Sequence, residues 1–111
     1  MNTPPLPDLV SLMNFIGDRY TFTDAHYPEL LDSTETRKKA FAVRHSLLHM
    51  NKVTGVIATE VERAEHGGEM DREKLKVATT KMLINAIKLA EELGMSPAEL
   101  AARVPLVMKS A

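Results

Sequence analysis

Glu62 and Glu65 form an E-x-x-E pair, a combination of residue type and spacing that suits metal chemistry. A spacing of three residues places both carboxylates on one face of a helix, about 60° apart. Two carboxylates in that arrangement can hold a divalent cation such as Mg²⁺. Glutamate is also common on solvated helix faces, so the sequence leaves both interpretations open.

His45 and His49 form a second pair, spaced by four residues and therefore also on one helix face. Two imidazoles in that arrangement can ligate Zn²⁺ or iron. The residues between them are Ser-Leu-Leu, so the H-E-x-x-H pattern of zinc metalloproteases is not met. No third ligand has a diagnostic spacing, and a solvent-facing or hydrogen-bonded pair is the alternative.

Cationic side chains offer a way to bind phosphate without any metal ion. Arg44, His49, Lys52 and Lys81 would together form a patch able to bind phosphate oxygens. Asn85 follows Lys81 by four residues, so these two side chains face the same side of a helix. An asparagine on an otherwise apolar helix needs a hydrogen-bond partner, which is either a ligand or another helix.

The composition excludes several classes of protein. The 111 residues include 14 basic and 15 acidic side chains, a balance that predicts no binding to nucleic acid or to a membrane surface. Cysteine is absent, which excludes disulfides and thiolate sites. The sequence contains neither G-x-S-x-G nor a Gly-rich phosphate loop. We see no signal peptide or membrane span in it and expect a cytoplasmic protein.

Helix signals begin close to the N-terminus. We expect residues 1–7, which include three prolines, to form an extended arm, and residues 8–111 to form a single helical-bundle domain. Asp8 is placed to cap a short first helix and Gly17 to end it. The segment 18–27 is aromatic without a helical period, which predicts a loop that either covers the edge of the core or binds a ligand.

The longest predicted helix begins near Ser33 and ends at Gly67. Its apolar residues recur at alternating intervals of three and four, a stripe typical of antiparallel bundle packing. The stripe consists of Ala40, Val43, Leu47, Met50, Thr54, Ile57, Val61 and Ala64. Gly55 weakens the middle of this segment, so the sequence permits either one helix or two across residues 34–66.

Two further helices complete the predicted fold. Asp71 caps a helix that runs to about Leu93, with Gly94 just beyond its end. Ser96 caps a last, short helix that Pro105 limits. These elements predict an all-α protein, an antiparallel bundle of four main helices with a short extra helix at the N-terminus.

Residues 81–94, KMLINAIKLAEELG, resemble the third core helix of the MazG-like all-α nucleoside triphosphate pyrophosphohydrolases. The matching positions are Leu83, Ile84, Asn85, Leu89, Ala90, Glu92, Leu93 and Gly94. Upstream, Phe41, Arg44, His49 and Lys52 are similar to a segment that precedes the metal motif in many of these proteins. Glu62 and Glu65 match the first half of that motif. The resemblance implies an enzyme that hydrolyses a nucleoside triphosphate to the monophosphate and pyrophosphate.

The resemblance also implies roles for individual residues. Glu62 and Glu65 would hold Mg²⁺, Lys52 or Lys81 would contact the phosphates, and Asn85 would touch the base or sugar of the nucleotide. Lys81, however, stands where the family has a magnesium-binding aspartate, and Ala78 stands where it has a glutamate. If Lys81 takes the place of the ion, we expect it to pair with Glu62 or Glu65.

Loss of half the metal motif leaves a second functional interpretation open. In this second interpretation, the chain is a catalytically silent module that uses the same scaffold for oligomerisation or for ligand binding. The resembled family assembles as dimers or tetramers, and long apolar stripes on a small chain leave excess apolar surface. We therefore expect a homo-oligomer formed through the helix of residues 40–64 and the helix of residues 82–93.

Overall fold

The computed structural model describes residues 8–22 and 26–110 of the chain. Within these ranges there are four α-helices, a short 3₁₀ turn at Pro28–Leu30 and no β-strand. The helices are α1 (Leu9–Arg19), α2 (Glu35–Glu65), α3 (Arg72–Glu92) and α4 (Pro97–Ser110). The predicted all-α class is therefore confirmed. The extended arm predicted for residues 1–7 lies outside the described residues.

Each α-helix begins at a polar residue that caps it. A side-chain oxygen at the cap accepts a backbone N–H from the first turn, at distances between 2.8 and 3.2 Å. The capping residues are Asp8, Thr34, Asp71 and Ser96. Each such bond stabilises its helix by about 1 kcal/mol. Three of these caps were predicted from the sequence, and the fourth lies one residue from the predicted start at Ser33.

Two predicted helix ends are wrong. Gly17 lies inside α1, where it faces the Glu91 carboxylate of α3: a Cβ atom on residue 17 would come within 2.7 Å of that carboxylate. Pro105 lies inside α4, which continues to Ser110. A proline removes one backbone N–H donor from a helix, but it does not prevent the chain from resuming helical geometry beyond it.

The segment across residues 34–66 forms one helix, α2, of 31 residues. With α2 undivided, three α-helices follow α1 rather than the four main helices predicted. The residues that α2 buries are Phe41, Ala42, Ser46, Val53 and Glu60. They do not belong to the predicted apolar stripe, of which Val43, Leu47 and Val61 are 38, 53 and 43% exposed. The face of α2 that packs within the chain is therefore not the one with the strongest apolar period.

α3 packs against both α1 and α2, and α4 packs against α1. The antiparallel partner of α3 is α2, since the end of α2 contacts the residue that caps the start of α3. On another side of α3, Met13 and Ile16 of α1 form a small core with Ile87. Leu100 of α4 is partly buried against this core.

Lys88 joins α3 to the aromatic segment that follows α1. Its side chain is 3% exposed, and its Nζ lies 3.0 Å from Glu92 and 3.4 Å from Glu91. The same Nζ lies 5.1 Å from the centre of the Phe22 ring, a distance at which a cation is attracted to an aromatic face. A buried cation is tolerated here because two carboxylates and a ring compensate for its lost hydration.

The bundle is open. The radius of gyration is 17.1 Å, whereas a compact domain of this length has a radius of about 13 Å. Large apolar side chains on α2, α3 and α4 remain more than a third exposed. None of the described helices combines the length and apolar character needed to cross a bilayer.

Replacing glycines tests the continuity of α2. Nothing lies within 4 Å of a Cβ built on Gly55, so Gly55→Ala should raise the free energy of unfolding by about 0.5–1 kcal/mol. Gly94, which follows the end of α3, has a φ of 75°, a conformation in which a Cβ atom is strained. Gly94→Ala should therefore lower the free energy of unfolding by about 1 kcal/mol. Urea denaturation followed by circular dichroism measures both. Destabilisation by Gly55→Ala would contradict a continuous helix at that position.

Candidate functional site

A groove of about 910 Å³ lies between α2 and α3. Residues on α2 contribute to it at positions 49, 52, 53, 56, 59, 60 and 63, a spacing of three and four that keeps them on one helix face. On α3, the groove is lined by residues that also share one helix face, at positions 74, 77, 78, 81 and 85. Val53, Val56, Val77 and Ala78 give the groove an apolar wall. Charged side chains surround that wall.

Glu60 is the buried carboxylate of the groove, at 1% exposure. Its Oε1 accepts the backbone N–H of Asp71 at 2.7 Å and lies 3.1 Å from Nη1 of Arg63. Because Asp71 caps α3, this oxygen also lies at the positive end of the α3 dipole. The negative charge of Glu60 is therefore compensated by groups of the chain itself, and it joins the end of α2 to the start of α3.

Three lysines, Lys52, Lys74 and Lys81, lie along the groove with exposed side chains. In the described part of the chain, none of them has a carboxylate within salt-bridge distance. Glu73 also lines the groove. The exposed charge that faces the groove is thus mainly positive, which suits an anionic ligand.

Asn85 and Tyr20 form the polar end of the groove. Asn85 is 5% exposed, donates to the Lys81 carbonyl oxygen at 2.8 Å and accepts from the Tyr20 hydroxyl at 3.3 Å. The side chain of Asn85 therefore has a partner within the chain, in Tyr20, the residue that follows α1. Burial, with a smaller effect of Tyr27, raises the pKa of Tyr20, so its hydroxyl stays a neutral donor.

His45 and His49 are in contact, with their Nε2 atoms 3.1 Å apart. His49 also lines the groove, one turn before Lys52. Burial lowers the pKa of His49, and the neighbouring His45 and Lys52 lower it further. The separation of the two nitrogens is a hydrogen-bond distance, and whether the pair also binds a metal stays a prediction.

The structure brings four of the predicted site residues together and leaves three apart. His49, Lys52, Lys81 and Asn85 line the groove, whereas Arg44, Glu62 and Glu65 do not. Glu65 lies about 140° around α2 from Glu60, which places it on the side away from α3. Arg63 and Lys74 line the groove without having been predicted. Glu60 also lines it, and its i,i+3 spacing from Arg63 was visible in the sequence. Tyr20 lines it from the segment of residues 18–27, for which ligand binding was one of the two alternatives.

Glu62 and Glu65 do not fit a Mg²⁺ site that faces the groove. The Glu62 side chain is 74% exposed, and its carboxylate lies 3.9 Å from the His66 ring nitrogen. The expected ion pair between Lys81 and either glutamate is absent from the described residues, because the helix turns both carboxylates away from α3. The described residues also contain no group of three or more acidic, histidine or cysteine side chains suited to a metal ion. A Mg²⁺ role for these glutamates stays a prediction.

Comparisons of the chain with protein-family models, with curated proteins and with solved structures give no match. The groove is therefore interpreted from the residues that line it.

Glu60→Ala should lower the free energy of unfolding by about 1–3 kcal/mol, because the partly buried Asp71 N–H loses its acceptor. The loss stays in this range because Arg63 is 44% exposed and water solvates its charge. Glu60→Gln keeps an oxygen acceptor and should lower stability less. The exposed Glu62→Ala is the matched control, with an expected change within about 0.5 kcal/mol. Equal effects of Glu60→Ala and Glu62→Ala in denaturant titrations would contradict the bridging role of Glu60.

Proposed function

We propose that the chain is a helical module that binds a phosphate-bearing ligand, with nucleotides as the favoured class, in the groove between α2 and α3. The observation that carries this proposal is the set of three exposed lysines around an apolar wall. Lysine ammonium groups bind phosphate oxygens as point charges, and an apolar wall suits the face of a base. The ligand phosphates would lie near Lys52 and Lys81.

Ligand binding without turnover is the favoured form of this proposal. The hydrolysis implied by the MazG-like resemblance needs Mg²⁺ held beside the phosphates. The groove instead presents Lys81 and Ala78 from α3, and its buried Glu60 is already bound by Arg63 and the Asp71 N–H. Lysine cannot ligate a divalent ion while protonated, but its charge can neutralise phosphate directly. The chain would thus keep the MazG-like scaffold and its ligand class while lacking the hydrolytic step.

Calorimetric titration in the presence of a chelator tests metal-independent binding. A panel of nucleoside triphosphates and inorganic triphosphate should bind without Mg²⁺, whereas the free nucleosides should not. Lys81→Ala should weaken binding roughly tenfold, because it removes a charge-assisted contact. Lys76→Ala is the matched control, since Lys76 is exposed on the same helix but does not line the groove.

The same protein preparations separate binding from catalysis. Release of pyrophosphate from the triphosphate panel should stay at the level of a blank, with or without Mg²⁺. Mg²⁺-dependent release that is lost in Glu62→Ala would contradict the silent form of the proposal and support the pyrophosphohydrolase. Equal affinity of Lys81→Ala, Lys76→Ala and the unaltered chain would contradict phosphate binding in the groove.

A role in homo-oligomerisation is the second proposal, and the exposed apolar stripe of α2 supports it. Leu47 is 53% exposed and Val43 is 38% exposed. Leu83 on α3 is 52% exposed, and Leu93, the residue that follows α3, is 59% exposed. Association of copies through these faces of α2 and α3 would remove that apolar surface from water. The open shape of the single chain agrees with such an arrangement.

Light scattering at micromolar concentration tests the oligomer, which should exceed the mass of one chain. Leu47→Arg should shift the protein towards the monomer while circular dichroism shows unchanged helix content, because a charge cannot be buried in the interface unpaired. Val107→Arg is the control, since Val107 is 67% exposed on α4 and lies outside the stripe. If the unaltered chain is a monomer, the proposal is wrong. If the oligomer dissociates in Val107→Arg but not in Leu47→Arg, the interface lies on α4 instead.

A further inference from the structure

The histidine pair of α2, His45 and His49, forms a cluster that phosphate binding does not use. We propose that this pair is a bidentate site for a divalent transition-metal ion of the kind that imidazole prefers, namely Cu²⁺, Ni²⁺ or Zn²⁺. This inference does not depend on the proposed binding of phosphate in the groove. It also differs from a Mg²⁺ site in its ligands, because imidazole nitrogen suits transition metals and Mg²⁺ prefers oxygen.

The separation of the two ring nitrogens carries the proposal. The Nε2 atoms of His45 and His49 lie 3.1 Å apart. Nitrogen ligands lie about 2.0–2.1 Å from Zn²⁺, so two of them on one tetrahedral or square-planar ion are separated by roughly 2.8–3.4 Å. An ion can therefore bind both nitrogens once the donating ring has released its Nε2 proton to water and taken up a proton at Nδ1, which leaves a lone pair on each Nε2. Rotation of the rings about their side-chain bonds then directs both lone pairs at the ion.

Aromatic neighbours pack around the His45 ring of the pair. His45 stacks on Phe41, with ring centres 5.2 Å apart and planes at 15°. The rings of Phe22 and Tyr27 contact His45 at 5.5 and 4.8 Å. A side chain held in position before binding loses less conformational entropy when it ligates an ion. The pair is thus more ordered than two histidines on a bare helix face.

The pair is also open towards the groove. His49 lines the groove, so water or a donor atom of a bound ligand can complete the coordination of the ion. Lys52 is close enough to influence His49 and opposes a bound cation. Lys88 contacts the ring of Phe22, which in turn contacts His45, and its charge is compensated by Glu91 and Glu92. Lys52 should therefore weaken the metal site while it strengthens phosphate binding.

Titration of the metal-free protein with each metal salt tests the site, at about pH 7.5 so that free imidazole is mostly neutral. Calorimetry should show one ion bound per chain, with Cu²⁺ the tightest of the three as the Irving–Williams order requires. Mg²⁺ should not bind at these histidines. Imidazole resonances of His45 and His49 should shift in the nuclear magnetic resonance spectrum when Zn²⁺ is added.

Substitutions assign the ion to the pair. His45→Gln and His49→Gln should each weaken metal binding roughly tenfold or more. In the unaltered chain, an ion bound to one imidazole meets the second at high effective concentration, and each variant removes that second ligand. His66→Gln is the control, since the His66 side chain is 76% exposed at the far end of α2. Lys52→Ala should strengthen metal binding and weaken nucleotide binding, which separates failure of this proposal from failure of the proposed function.

Two results would overturn the proposal. One is unchanged metal affinity in both His45→Gln and His49→Gln, with circular dichroism showing folded protein. The other is the absence of any Zn²⁺, Ni²⁺ or Cu²⁺ binding to the unaltered chain at millimolar concentration. If either variant fails to fold, the imidazole resonances of the unaltered chain show where Zn²⁺ binds. Shifts confined to His66 would contradict binding at His45 and His49.

Discussion

The buried carboxylate of Glu60 is the constraint from which the arrangement of α2 and α3 follows. It takes the backbone N–H of Asp71 and the guanidinium of Arg63 as partners, at 2.7 and 3.1 Å. A buried carboxylate without such partners would be strongly destabilising, so α3 must begin where its first N–H groups can meet this oxygen. That meeting point sets the register of the two helices. Every residue pair across the groove depends on it.

The register explains which charges face each other. Counting back along α2 from Glu60 and forward along α3 from Asp71 brings His49 and Lys52 towards Lys81 and Asn85, on both sides of an apolar wall. Tyr20 closes that end through its hydrogen bond to Asn85. The same register turns Glu62 and Glu65 to solvent, and it leaves the most regular apolar stripe of α2 without a partner inside the chain.

Much of the fold was predictable because helix signals are local. The caps at Asp8, Asp71 and Ser96 depend on a side chain and an N–H three residues away, and all three are present as predicted. Gly17 and Pro105 were misjudged as helix ends. Gly17 lies beside the carboxylate of Glu91, which is more than seventy residues away in the sequence, and no local pattern contains that contact.

The sequence by itself determined the all-α class, the helix starts and a set of side chains able to bind phosphate or metal, because composition, caps and helical spacing act within a few residues. Only the tertiary structure decided which of those side chains meet. His49, Lys52, Lys81 and Asn85 share a groove, and Glu62 and Glu65 do not, because the buried face of α2 is chosen by its contacts with α3. A period of apolar residues identifies a face that favours burial, but it does not say whether this chain or another copy covers it.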